Sequence, residues 1–373
     1  MLRGVAVLGI LLGNSPSMAG LHLESGGGAA GSGVDVAAEW LVAVLASNKF
    51  YVLFSFLFGY SFTLQRSSAE RAEASFAARH LRRLSCLFLL GLAHGVLLFS
   101  GDILMSYAVL SLPLFAVRNI APRTAVRVAA GLVAFTTACL LVWGLLVLTM
   151  TEPAAAQSGT TAAVREWLEA RRGDAGSVVD TNLRSLRAAL PWNFLYGAEI
   201  FAAFLAGVAA GRLGLLNGTG LPRARLVRIL LVGLPLGVAG GVFTAICRMG
   251  PLDSRWSDIG SAVTVLTAPA LMAAYACGVL LLLRTVPGRR CAGVLATAGR
   301  LSLTHYLTQS LVTAWVFTGY GLARYGCHGA AAVTAGCFAL YAAQLALGRW
   351  LLGRFRYGPA EWLLRAATLA RRP

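Results

Sequence analysis

Charge is what this chain has least of. Charged residues fill 13% of its 373 positions and hydrophobic ones 57%, whereas soluble domains carry about 25% charge. That balance excludes an ordinary water-soluble domain, and a mean hydropathy of +0.71 points to a polytopic membrane protein. Acid is the scarcer sign, with 15 Asp plus Glu against 32 Lys plus Arg and a net charge of +17. Lysine is nearly missing: Lys49 stands alone, and together with the Ala and Gly surplus this suggests a high-GC bacterial genome. No basic stripe is interleaved with aromatics, which argues against a nucleic-acid partner. The basic excess reads instead as loop charge facing the cytoplasm. No two of the seven cysteines form a CxxC pair, so they read as small apolar residues and no metal is expected. GxxxxGK[ST], HExxH and GxSxG are all absent, leaving an ATP-driven pump or a zinc protease without local support.

Long apolar runs are what the chain does have. A span needs about 20 such residues, and the segments 2–19, 48–65, 82–100, 103–119, 124–150, 193–214, 226–247, 259–283, 297–318 and 328–348 qualify. The expected fold is an all-α transmembrane helix bundle of about ten spans with both termini cytoplasmic. With that orientation Arg3, the arginines of 66–83, those of 284–300 and the tail arginines all lie inside. The first run ends in LLGNSPSMAG, similar to a signal-peptide end, but is expected to stay as a helix. Residues 24–35, Gly-rich, are expected to form a flexible outer loop. The segment 151–191 is expected to be an outer loop with a surface helix over AAVREWLEARR. The tail FRYGPAEWLLRAATLARRP is short and amphipathic, and Glu361 and Arg365 have the spacing of a helix-face ion pair.

Few polar residues interrupt the apolar runs, and each has a bland and a functional reading. Asn14 either ends the first helix or contacts a substrate. Arg3, at the opposite end of that helix, either snorkels to phospholipid or clamps a phosphate. In GLAHGVLLFSGDILMSYAVL, Gly101 can end one helix and Asp102 can cap the next. The hairpin so formed places His94 and Asp102 in the outer half of the membrane, where they suit an oriented general base. Glu199, in WNFLYGAEIFAAFLAGVAAGR, is an intramembrane carboxylate, and such groups are functional candidates by default. In GRLSLTHYLTQSL, Ser302, Tyr306, Gln309 and Ser310 share one helical face with His305 beside it. That face is either hydrogen-bonding glue between helices or the wall of a polar cavity.

MLRGVAVLGILLGN, KFYVLFSFLFGYSF, GLAHGVLLFSGDILMSYAVL, GRLSLTHYLTQS and FRYGPAEWLLR together resemble the successive signatures of the YeiB-like DUF418 membrane proteins. The resemblance runs from Arg3 to Arg365, with the DUF418-like half at about 193–373 of a single transmembrane domain. The opening is also similar to broader membrane acyltransferases, including the heparan glucosaminide N-acetyltransferase type. Those proteins carry an acyl group from cytoplasmic coenzyme A to an acceptor across the membrane. In acyltransferase-3 proteins a catalytic histidine follows the arginine after ten intervening residues, where this chain has Asn14. The heparan-type branch has asparagine there and a histidine further on; here His22 follows, at a different spacing. The acidic residue that usually precedes Leu-Arg-Gly is absent before Met1-Leu2-Arg3.

The resemblance implies an integral-membrane acyltransferase of a bacterial cytoplasmic membrane. Its donor would be acetyl-CoA, with Arg3 and Arg300 on the phosphates, and its acceptor a small-molecule hydroxyl or amine near the outer face. His94 and Asp102 would be catalytic, and Asn14, Glu199, Tyr306 and Gln309 would contact substrate. The lipid bilayer is the expected partner. The rival expectation is an exporter of a small hydrophobic metabolite, with Glu199 and His94 as a proton relay.

Overall fold

The computed structural model describes residues 1–21, 32–152, 162–216, 221–370 and 372. Among them every regular element is helical. Helix α1 (Leu2–Ala19) closes on Gly20, whose φ of 78° is left-handed and unstrained without a side chain. Then follow α2 (Gly33–Leu45), α3 (Phe50–Arg71), α4 (Phe76–Leu97), α5 (Leu104–Ala116) and α6 (Pro122–Met150). The second half holds α7 (Ala162–Arg172), α8 (Ala175–Arg212), α9 (Arg223–Met249), α10 (Ser257–Leu282), α11 (Val286–Arg300), α12 (Ser302–Phe317), α13 (Ala330–Arg354) and α14 (Pro359–Leu369).

Six stretches are long and apolar enough to cross a membrane by length and composition: Gly33–Arg71, Pro122–Met150, Ala175–Arg212, Arg223–Met249, Ser254–Leu282 and Ala330–Arg354. Each of the other expected spans also contains a helix, but α1, α5 and α12 are short, at 18, 13 and 16 residues, and α4 carries several arginines. Bare apolar side chains such as Phe194, Leu231 and Met150 stand on the outside of the long helices. Water would penalise such a surface, and hydrocarbon would not. The chain is a membrane protein.

Three expectations change along the chain, and a fourth in its tail. Part of the Gly-rich segment is helical: α2 starts at Gly33, because Ser32 accepts from the Asp35 N–H and an apolar run follows. Asp35 also reaches the start of α13, accepting from the Ala331 N–H at 2.9 Å; residues 24–31 lie outside the described residues. In 151–191 the surface helix α7 forms, but α8 begins as early as Ala175. The Asp174 carboxylate caps it by accepting from the Ser177 N–H at 2.8 Å, and the helix continues through Pro191 to Arg212. The expected single span at 297–318 is broken at Leu301 into α11 and α12.

The tail explains that break. Glu361 does not pair with Arg365. Its Oε1 accepts from the backbone N–H groups of Leu303 at 2.8 Å and Thr304 at 3.0 Å, and its Oε2 from the Thr304 hydroxyl at 2.5 Å. These are the orphan donors that open a helix, so α14 supplies the N-terminal cap of α12. Arg365 lies instead over the Tyr357 ring, 4.8 Å from its centroid. Glu361→Ala is expected to cost about 1–2 kcal/mol, the worth of a strong cap. It should lower the thermal midpoint of the purified protein, with Glu361→Gln losing less because it keeps an acceptor. An unchanged midpoint would contradict the capping role.

Glycines set the closest packing between helices. A Cβ on Gly59 of α3 would lie 2.1 Å from the Phe204 carbonyl oxygen of α8, and one on Gly207 of α8 would lie 2.0 Å from that of Phe56. Backbones can meet this closely only where side chains are absent. Around the contact, Phe58 stacks on Phe204 with ring centres 4.8 Å apart, and Tyr107 tilts against Phe58 at 4.9 Å. This aromatic core packs α3, α5 and α8 together beside α1.

Candidate functional site

The buried stripe of α4 is His80, Leu84, Leu87, Gly91 and His94, the spacing of one helical face. Beyond Leu97 the chain turns, and Asp102 opens α5 by accepting from the Met105 N–H through Oδ2 at 2.7 Å. The other carboxylate oxygen, Oδ1, stands 2.8 Å from His94 Nδ1, with both side chains essentially sealed from solvent. The contact lies off the line of a ring N–H, so it is electrostatic more than an aligned hydrogen bond. Tyr306 of α12 donates its hydroxyl to the same oxygen at 3.4 Å, and its ring centre lies 4.8 Å from that of His94. His94 Nε2 is buried and meets no hydrogen-bond partner. Gly91 makes room for this arrangement, since a Cβ there would lie 2.6 Å from Asp102 Oδ2 and 2.4 Å from the Met105 nitrogen.

At the Arg3 end of α1 a cavity of about 500 Å³ opens, lined by Arg3, Arg79, Arg83, Arg300, Arg356 and Arg365. Glu361 is the acidic residue in that lining, and its oxygens are occupied at the start of α12. The basin is therefore strongly cationic with little internal neutralisation. Arg3 donates to the Ser61 hydroxyl, and Arg300 to the Arg356 carbonyl at 3.0 Å. Arg83 keeps a buried Nε with no partner. A narrow pocket of about 60 Å³ shares Arg3, Arg83, Ser302 and Leu303 with the basin and extends past Ile10 to Tyr107 and Tyr306. The two cavities thus share a wall, and the narrow one is bounded by the tyrosine that touches Asp102 and His94.

The other candidates lie apart. Glu199 is buried, and Tyr51 donates to its Oε2, while Oε1 has no partner. The Tyr107 hydroxyl lies 2.8 Å from the Ser55 hydroxyl, and it also donates to the Tyr51 carbonyl at 3.4 Å. Tyr107, which lines the narrow pocket, thus bonds to the backbone of the tyrosine that holds Glu199. Gln309 donates to the Gln344 side chain at 3.0 Å, and Gln344 donates to the Thr308 hydroxyl at 2.7 Å, a link between α12 and α13. Asn14 is half-buried and lines none of these cavities; its neighbours Gly9 and Gly13 press against Phe50 and Ala46. His22 lies outside the described residues. Among the described residues no cluster of His, Cys, Asp and Glu can hold a metal ion.

Residues 210–371 match the family model described as protein of unknown function (DUF418). The second half of the chain is thus similar to the DUF418 family. It is 29% identical to the uncharacterized protein YxaH of Bacillus subtilis strain 168 over 398 residues, covering 99% of this chain and 92% of the relative. It is 26% identical to the uncharacterized protein YeiB of Escherichia coli K12 over 381 residues, covering 98% and 94%. No solved structure matches. The DUF418 match takes in Arg300, Tyr306, Arg356, Glu361 and Arg365. Arg3, Arg83, His94 and Asp102 precede it, so the DUF418 segment holds one wall of the site and the first helices hold the other. Arg83 and Ser61 escape a sequence reading. For Arg83 a signal exists, since it neighbours the buried stripe of α4 one turn before Leu87.

Proposed function

We propose that this protein is an acyltransferase of the bacterial cytoplasmic membrane. It would move an acyl group, acetyl in the simplest case, from coenzyme A to a hydroxyl or amine near the outer face. The observation that carries the reading is an arginine-lined basin that shares Arg3, Arg83, Ser302 and Leu303 with a narrow pocket lined by Tyr306, which touches His94 and Asp102. Guanidinium groups bind phosphates with directional, charge-assisted bonds. The basin also falls within the roughly 300–1,000 Å³ of small-molecule sites. Arg3, Arg83 and Arg300 would hold the phosphates, and the pantetheine arm would follow the narrow pocket toward Tyr306.

His94 Nε2, buried and free of partners, is the base. It takes the acceptor proton as the acceptor oxygen or nitrogen bonds to the thioester carbon. The carbon–sulfur bond then breaks and coenzyme A leaves as the thiolate, which takes up the proton that His94 gives back, restoring the base. Asp102 holds the imidazole from the Nδ1 side and offsets the positive charge that develops there. Tyr306 packs on the same ring.

Calorimetry of the purified protein with coenzyme A tests the donor assignment. Saturable binding that weakens as salt rises is expected. Absence of binding would overturn it and favour export of a small hydrophobic metabolite. That second reading draws on Glu199, whose buried carboxylate with a free oxygen beside Tyr51 suits a proton relay.

A further inference from the structure

From Ile259 to Pro373 the sequence has Glu361 as its only acid against eleven arginines. Both oxygens of Glu361 are taken up at the start of α12. The arginines where α13 ends are thus left without a local counter-charge. The last turns of α13 carry Arg349, Trp350 and Arg354, all exposed. The Arg354 guanidinium lies over the Trp350 ring, 4.7 Å from its centroid. A guanidinium stacked in this way keeps its N–H edge available to an oxyanion. Among the described residues no carboxylate pairs with Arg349 or Arg354. Gly353 falls one turn beyond Arg349 and next to Arg354, and a Cβ there would meet nothing within 4 Å. The ground between the two arginines is therefore open.

The same corner is apolar on the side away from the bundle. Leu347 and Trp350 of α13 are bare, and so is Phe355 just beyond it, at 56% exposure. In α14, Leu364 is buried while Trp362 and Leu363 are each 44% exposed. A helix lying in water would turn a polar face outward. Bare aromatic and aliphatic side chains beside unpaired arginines match the boundary between hydrocarbon and headgroups, where tryptophan anchors and basic side chains meet phosphate.

This corner is also the back of the arginine basin. Arg356 and Tyr357 line the basin, followed by Glu361, Leu364 and Arg365 of α14. Yet α14 has 11 residues, and Leu364 is the one fully buried among them. A helix that short is marginal without packing. Its bonds to α12 fix one end, and its outer face needs a cover.

We propose that the corner where α13 meets α14 binds an anionic phospholipid of the inner leaflet. The headgroup phosphate sits on Arg349 and Arg354, and the acyl chains lie against the apolar side chains beside them. Lipid bound there holds α14 down as the wall of the basin. The site stands apart from the acyltransferase reading, since it holds whatever ligand the basin takes.

Tryptophan fluorescence of the full-length purified protein in mixed micelles tests it. Lipids brominated on their acyl chains quench tryptophan on contact. The signal from the corner is the quenching that disappears in the Trp350→Phe/Trp362→Phe variant. Brominated phosphatidylglycerol is expected to half-quench at a mole fraction about 25-fold below that of brominated phosphatidylcholine, at about fivefold for each arginine near the surface. Arg349→Gln/Arg354→Gln should erase that preference. Amide exchange over 359–369 should be slower in phosphatidylglycerol than in phosphatidylcholine for the parent protein, and equal in the two lipids for the arginine variant. If that variant fails to fold, the comparison of the two lipids on the parent protein still decides. Equal quenching by both lipids, an unaltered preference in the arginine variant, or relief of quenching by millimolar inorganic phosphate would overturn the site. A lipid preference with unchanged exchange over 359–369 would overturn its hold on α14.

Discussion

His94→Ala is expected to lower acyl transfer by about 100- to 10,000-fold, the usual contribution of a positioned base, or about 2.7–5.5 kcal/mol of barrier. Expression and coenzyme A affinity should not change, because His94 faces Asp102 and Tyr306 and not the arginine basin. Asp102→Asn is the informative companion. Asparagine still accepts from the Met105 N–H, so the start of α5 is preserved, and only the charge beside the imidazole is removed. Its turnover should fall less than that of His94→Ala and with the fold intact. The measurement is product formation per purified molecule at saturating donor. Normal turnover by His94→Ala would remove the base from the mechanism whatever the protein binds.

The second large effect concerns the donor. Arg83→Ala is expected to weaken coenzyme A by about 30-fold or more, from the roughly 2 kcal/mol or more that a buried charged contact is worth. Arg83 lines both the basin and the narrow pocket, and its Nε has no partner of its own. Arg3→Ala should act in the same direction and also release Ser61. A pantetheine thioester without the nucleotide phosphates provides the control: it should lose little affinity in either variant. If Arg83→Ala binds coenzyme A as well as the parent protein does, the guanidinium ring does not serve phosphate.

Much of this was readable from residue types alone. Gly101 and Asp102 punctuate an apolar run, so the hairpin and its cap follow from turn and capping chemistry. His94 lies in that same run, eight positions earlier. Arg3 and Arg300 stand at the ends of apolar runs, where a charge must find water, lipid phosphate or a ligand. What could not be read were partners far away in the chain. Glu361 looked like the mate of Arg365 because helix rules are local, yet its bonds reach back 58 residues to Leu303. The break at Leu301 was invisible for the same reason: the apolar pattern runs through it, and only the tail supplies the cap that divides it. Glu199 was conspicuous, but a buried carboxylate does not reveal that a tyrosine from another helix will meet it.

The arginine basin takes Arg3 from the start of the polypeptide and Arg365 with Thr368 from near its finish. During synthesis, therefore, its walls cannot all be present until α14 has been made. A nascent intermediate halted in the bilayer would lack α14 and with it the cap on α12. On the donor assignment proposed above, products terminated before α14 would be unable to sequester the thioester.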